Sequence, residues 1–143
     1  MNELNKFTIT FPSVSENESF IRGVVSLFIL RLNPNVSELS DVKTAVSEAV
    51  TNAIVHGYPK GIGEVKLECS LIDNKIHINI SDNGVGIDDL NEALEPFYTT
   101  KPDQERSGMG FTIMKSFMDK VIVKSEKGKG TNIYMEKTIK SDV

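Results

Sequence analysis

The run Glu48-Ala49-Val50-Thr51-Asn52-Ala53-Ile54-Val55-His56-Gly57 is followed by Asp82-Asn83-Gly84-Val85-Gly86-Ile87, and then by Ser107-Gly108-Met109-Gly110-Phe111. A spacing of four places Glu48 and Asn52 on one helix face, roughly 6 Å apart. There a carboxylate can act as a base and an amide oxygen can ligate a metal. The two glycine-rich runs allow backbone to approach a ligand where a Cβ would clash. In this order the three runs read as the parts of a Mg²⁺-nucleotide site, although each alone is a weak signal.

Working outward, Pro34-Asn35 breaks the chain, and Asn35 with Glu38 can cap a helix that runs to about His56. Leu39, Val42, Val46, Val50 and Ala53 form its core stripe, and Glu48 and Asn52 point away from it. A solvated polar face would explain that placement. Against it, Ala45 and Ala49 flank the pair with little bulk, and Val55 lies on the same side. Before this helix, residues 7–11 alternate apolar and polar up to Pro12 and read as a half-buried strand. Ser15 and Glu18 have the form of a capping box opening a first helix to about Leu32. On it Phe20, Val24 and Leu27 make one apolar stripe, and Ile21, Val25, Phe28 and Leu32 a second. The combined arc is wider than a one-sided surface helix needs. It fits either a deeply embedded helix or one that also meets a second chain.

After the second helix, residues 65–72 and 75–82 alternate as strands joined at Asp73-Asn74. A short helix is expected over 88–94, a mobile loop over 96–107 and a third helix over 108–120. That helix turns Phe111, Met114, Phe117 and Met118 to the core. Residues 121–126 and 131–137 form a last hairpin around Gly128-Lys129-Gly130. This order predicts an α/β (α+β) fold, a two-layer sandwich with helices on one face of a mixed, mainly antiparallel sheet.

The 143 residues read as one domain, 1–143, large enough for a core of its own. Hydrophobic residues at 39% and charged residues at 25% are ordinary for a globular protein. A formal charge of −4 disfavours a nucleic-acid-binding surface. The single cysteine, Cys69, forms no internal disulfide and reads as a small buried strand residue. No apolar run approaches a membrane span, and the opening residues have no signal-peptide core. A cytoplasmic location is expected.

Asp82 closes a strand whose inward partners are Ile76, Ile78 and Ile80, where a carboxylate can accept from an exocyclic amine such as that of adenine. Gly84 and Gly86 would let the next turn pass under a flat ring; the same residues also suit an ordinary turn. Ser107, Gly108, Met109 and Gly110 precede a helix whose free N–H groups favour phosphate oxygens. Lys101 and Arg106 could add charge there, or be plain surface charges, while Thr99 and Thr100 offer hydroxyls. Neither a Walker loop nor a dinucleotide fingerprint is present. One thiol and two distant histidines give no zinc spacing; His77 reads as an outward strand residue and His56 as a helix C-terminal cap.

With these residues in place, the chain resembles the GHKL (Bergerat-fold) ATP-binding superfamily, through EAVTNAIVHG, DNGVGI, GMGF and Gly130-Thr131. More closely, SENESFIRG, VSEAVTNAIVHGY, PFYTTKP and ERSGMGFTIM resemble the bacterial anti-sigma F factors, the stage II sporulation protein AB group. Tyr98, before the Thr-Thr pair, is a departure that puts nothing essential in doubt. The resemblance implies a Bergerat ATP-binding fold and a cytoplasmic homodimer that holds a sporulation sigma factor inactive in its ATP state. It also implies a protein serine kinase acting on an anti-anti-sigma (STAS-domain) protein, with ATP/ADP and Mg²⁺ as cofactors. By position, Glu48 would be the general base, Asn52 the Mg²⁺ ligand and Asp82 the adenine contact. Gly84, Gly86, Thr99, Thr100, Ser107, Gly108, Met109, Gly110 and Thr131 would line the nucleotide.

The alternatives are a general-stress anti-sigma kinase with the same chemistry, a nucleotide-binding module without kinase activity, and a hydrolase. The absence of a histidine-bearing dimerisation segment disfavours a two-component kinase. The wide apolar arc of the first helix, with Arg22 on its polar side, makes Arg22 a candidate sigma contact. Its competing partner is Glu18, one turn earlier.

Overall fold

The computed structural model describes residues 3–87 and 110–140. The expected helix at 88–94 and loop at 96–107 lie outside them, as do Thr99, Thr100, Lys101, Arg106, Ser107, Gly108 and Met109.

Five strands, β1 (Glu3–Pro12), β2 (Glu64–Ile72), β3 (Lys75–Asp82), β4 (Lys120–Glu126) and β5 (Gly130–Thr138), form one sheet in the order β1-β2-β3-β5-β4. Every pairing is antiparallel, so the parallel component of a mixed sheet is absent among the described residues. The β2–β3 hairpin closes at Asp73-Asn74 as expected, with Asp73 in the left-handed region at φ 55° and Ile72 opposite Lys75. Strict alternation sorts the faces. Val65, Leu67, Cys69 and Leu71 of β2, Ile76, Ile78 and Ile80 of β3, and Ile133 and Met135 of β5 are all buried. Lys6, Thr8, Glu68, Ser70, His77, Asn79, Lys124, Asn132 and Tyr134 line a concavity on the other face. His77 does point outward there, its Nδ1 2.6 Å from the Tyr134 hydroxyl. Cys69 is buried and free, and burial pushes its thiol well above the usual range.

Three helices cover the apolar face: α1 (Glu16–Ile29), α2 (Val36–Thr51) and α3 (Gly110–Phe117). The central α2 packs between the other two and buries Val42, Ala45, Val46, Ala49 and Val50. Its start follows the sequence: Asn35 is extended (φ −75°, ψ 174°), its Oδ1 accepts the Glu38 N–H at 2.7 Å, and its own N–H donates to Glu38 Oε1 at 3.0 Å. The capping box expected at the start of α1 does not form. Ser15 is already helical, at φ −62° and ψ −27°, and a cap needs extended backbone. Glu18 turns to α2 instead, where its Oε2 accepts from Ser47 Oγ at 2.6 Å.

Helix α1 buries Ile21, Val25 and Ile29 but leaves Phe20 54% and Leu27 71% exposed. Within this chain only one of its two stripes is embedded, which removes the deeply embedded reading. At the far end of α2 the expected helix to His56 changes character: after Thr51 the chain widens into a π-helical turn, Asn52–Gly57. Such turns are uncommon and occur often at functional sites.

Candidate nucleotide site

Asp82 is the last residue of β3, and the alternation that buries Ile76, Ile78 and Ile80 also turns its carboxylate inward, leaving it 6% exposed. Burial raises its pKa, and hydrogen bonds from the backbone of Gly84 and Thr131 oppose that rise. The Gly84 N–H donates to Oδ1 at 2.9 Å. An apolar pocket favours the neutral carboxyl, and these two backbone bonds favour the charged form.

Three backbone segments converge on this carboxylate. The first is the close of the π turn, where a Cβ at Gly57 would stand 2.9 Å from the Asp82 carboxylate carbon and one of its oxygens. The second is the turn after β3, where the Val85 N–H donates to the Gly57 C=O at 2.9 Å and a Cβ on Gly84 would overlap that carbonyl. The third is the β4–β5 hairpin, whose Gly128 N–H donates to the Val85 C=O at 2.6 Å. Gly86 (φ 74°) lies so close to the Glu126 carbonyl that a Cβ would overlap it. By sequence Gly84 and Gly86 suit either a ligand's approach or an ordinary turn. Their surroundings show that backbone packing alone already demands them.

Thr131 faces Asp82 in the β3–β5 register and is buried. Its hydroxyl lies 2.8 Å from Ser125 Oγ, which also donates to the Gly130 C=O (3.0 Å) and accepts the Ile87 N–H (2.8 Å). Glu48 and Asn52 are half-buried, one turn apart at the junction of α2 and the π turn. The Asn52 N–H is shared between the carbonyls of Glu48 and Ala49 at the end of α2, just where the π turn begins. Gly110, half-buried, is the first residue of α3.

The fold thus brings Asp82, Gly84, Gly86 and Thr131 together, with Gly57 joining them to the π turn that begins at Asn52. Arg22 belongs to a separate cluster between α1 and α2: its guanidinium is 3.3 Å from Glu18 Oε2 and 3.5 Å from Ser47 Oγ. Gly57 and Tyr58 fall inside the motif runs but carry no assigned role there, and Ser125 falls outside them. Gly57 carried a signal, a glycine closing the helix of the polar pair; Ser125 carried none, because its role depends on strand pairing.

All of these residues lie within the span matched by a family model described as a histidine kinase-like ATPase domain. The family model of that description matches residues 11–137. An ATPase domain implies ATP as its ligand. In overall fold the chain is similar to the RsbU and RsbW domains of a Mycobacterium tuberculosis protein, with TM-score 0.67 and 16% identity over 94% of this chain and 32% of that one. It is also similar to the catalytic domain of histidine kinase ThkA, with TM-score 0.56 and 17% identity over 93% of this chain and 96% of that one.

In sequence it is 54% identical to an anti-sigma F factor of Clostridium botulinum, over 93% of this chain and 94% of the relative. It is 55% identical to that of Clostridium perfringens, over 93% and 96%, and 51% identical to that of Clostridium kluyveri, over 96% of both. The chain belongs to the anti-sigma F factor family. Among the described residues no helix is long and apolar enough to cross a membrane.

Proposed function

We propose that this chain binds and inhibits a sporulation sigma factor in its ATP state, and that it phosphorylates a serine of an anti-anti-sigma STAS-domain protein. The observation that carries the catalytic half is the junction of α2 and the π turn. It sets a half-buried carboxylate, Glu48, one turn from a half-buried amide, Asn52, on the segment that ends at the Asp82 carboxylate. In this reading Asp82 accepts a hydrogen bond from the adenine amine, and Thr131 and Gly110 line the nucleotide. Thr99, Thr100, Lys101, Arg106, Ser107, Gly108 and Met109 complete the phosphate side.

Glu48 takes the proton of the incoming serine hydroxyl. The serine oxygen then forms its bond to the terminal phosphorus of ATP as the bond to the ADP oxygen breaks. Asn52 offers an amide oxygen, the hard donor type Mg²⁺ accepts alongside phosphate oxygens and water. Among the described residues no group of three or more His, Cys, Asp or Glu side chains is arranged for a metal, so the ion would rest on Asn52 and the nucleotide. When bound, Mg²⁺ neutralises charge on the phosphates.

The exposed stripe of Phe20 and Leu27 supports α1 as a docking face for a second copy and for sigma, with Arg22 on the opposite, polar side of the helix. The location is cytoplasmic, where sigma factors act. Incubation with ATP, Mg²⁺ and a STAS-domain protein, followed by mass spectrometry, should place one phosphate on a serine of that protein. ATP binding without transfer would leave a nucleotide-dependent binding module instead.

A further inference from the structure

We propose that Tyr58 is a positioning residue of the nucleotide site, holding the turn that follows Asp82 against the end of the helix that carries Glu48 and Asn52. The inference rests on the reading of Asp82 as the adenine contact. Tyr58 follows the π turn directly, and its hydroxyl works in both directions. It accepts the Asn83 N–H at 2.8 Å and donates to the Glu64 C=O at 2.7 Å. Burial raises the Tyr58 pKa, which keeps the proton available for Glu64. The ring lies flat enough on Gly63 that a Cβ there would overlap it.

Tyr58 therefore joins three places: the exit of α2, the first residue of β2 and the turn after β3. Its neighbour Gly57 holds Val85 through its carbonyl, at 2.9 Å. Consecutive residues thus fix the two positions flanking Gly84, whose N–H in turn bonds Asp82 Oδ1. A carboxylate recognises a base edge only within hydrogen-bond reach and angle. A small shift of this turn is enough to lose that alignment. Phenylalanine keeps the ring on Gly63 but offers the Asn83 N–H and the Glu64 carbonyl nothing.

The test is calorimetric titration of ADP and GDP into the wild-type protein, Tyr58→Phe, Gly63→Ala and Asp82→Asn, with melting temperatures alongside. Tyr58→Phe should raise the Kd for ADP about three- to tenfold, the worth of one or two hydrogen bonds, and narrow the preference for ADP over GDP. In the kinase assay its KM for ATP should rise while kcat holds. Gly63→Ala keeps the hydroxyl but displaces the ring, and should produce the same loss of base preference. A lower melting temperature with unchanged ADP affinity and base preference in both variants would overturn the proposal. If Asp82→Asn loses ADP while both variants keep it, only the role of Tyr58 falls. If Asp82→Asn binds ADP like the wild type, the adenine assignment itself falls and takes this inference with it.

Discussion

The Cα of Gly57 rests against the carboxylate of Asp82 so closely that a Cβ would stand 2.9 Å from the carboxylate carbon. This contact connects the segment bearing Glu48 and Asn52 to the end of β3, and any side chain at position 57 would force the Asp82 carboxylate to move.

Gly57→Ala should therefore do two things. Forcing a methyl group into this contact should cost about 1–3 kcal/mol of stability, as overpacking does. It should also weaken ADP binding, because the group that must move is the Asp82 carboxylate. Urea denaturation and calorimetry check the two effects separately. An alanine variant that binds ADP like the wild type would show that the carboxylate tolerates displacement.

The raised pKa of Asp82 makes a prediction for the nucleotide-free protein. A carboxyl raised on folding binds its proton more tightly in the native state than in the unfolded one. Its stabilising contribution is then fully present below the unfolded pKa and is lost as pH rises through the folded pKa. Once ionised, Asp82 carries a desolvated charge that Asp82→Asn does not. The stability of the wild type relative to Asp82→Asn should thus improve as pH falls from 7 towards 4. Urea midpoints of the two proteins across that range test it, and a gap that does not change with pH would show no coupling.

Glu48→Gln should abolish phosphotransfer while leaving ADP affinity nearly intact. The amide keeps the shape but takes no proton from serine, a role worth ~10²–10⁴ in rate. Asn52→Ala should instead weaken Mg²⁺-ATP binding itself. Parallel loss of affinity and rate in Glu48→Gln would remove the base assignment. Wild-type Mg²⁺-ATP affinity in Asn52→Ala would remove the metal ligand.

Arg22→Ala should lower sigma affinity by roughly 2 kcal/mol, as hot-spot arginines do, with ADP binding unchanged. In the single chain Arg22 is held by Glu18 at 3.3 Å, a pair 39% and 26% exposed that itself contributes little. Removing it should accordingly leave the melting temperature almost unmoved. Unaltered sigma affinity would assign Arg22 to the Glu18–Ser47 cluster alone.

Much of the architecture is legible in the order of residues alone. The alternation of Ile76, Ile78 and Ile80 announces both the strand and the inward turn of Asp82, because period-two burial is a property of neighbouring residues. Asn35 and Glu38 announce the start of α2 for the same reason: cap and backbone lie three residues apart. The Ser15–Glu18 pair has the same local form and fails: Ser15 is already helical, and the Glu18 carboxylate meets Ser47, 29 residues away, instead.

Of the site, the chemical inventory is written in the chain alone: a carboxylate and an amide one helical turn apart, an inward carboxylate and the glycines that follow it. What those glycines are for was decided by tertiary structure. Gly84 makes room for the Gly57 carbonyl and Gly86 for the Glu126 carbonyl, and both neighbours are brought there by chain closure rather than by adjacency. The widening of α2 into a π turn at Asn52 was likewise hidden, because its apolar stripe continues through Ala53 without a break. Periodicity and capping are settled within a few residues. The meeting of Gly57, Asp82, Tyr58 and Ser125 depends on how the sheet and helix layers close on each other, and only the folded chain sets those distances.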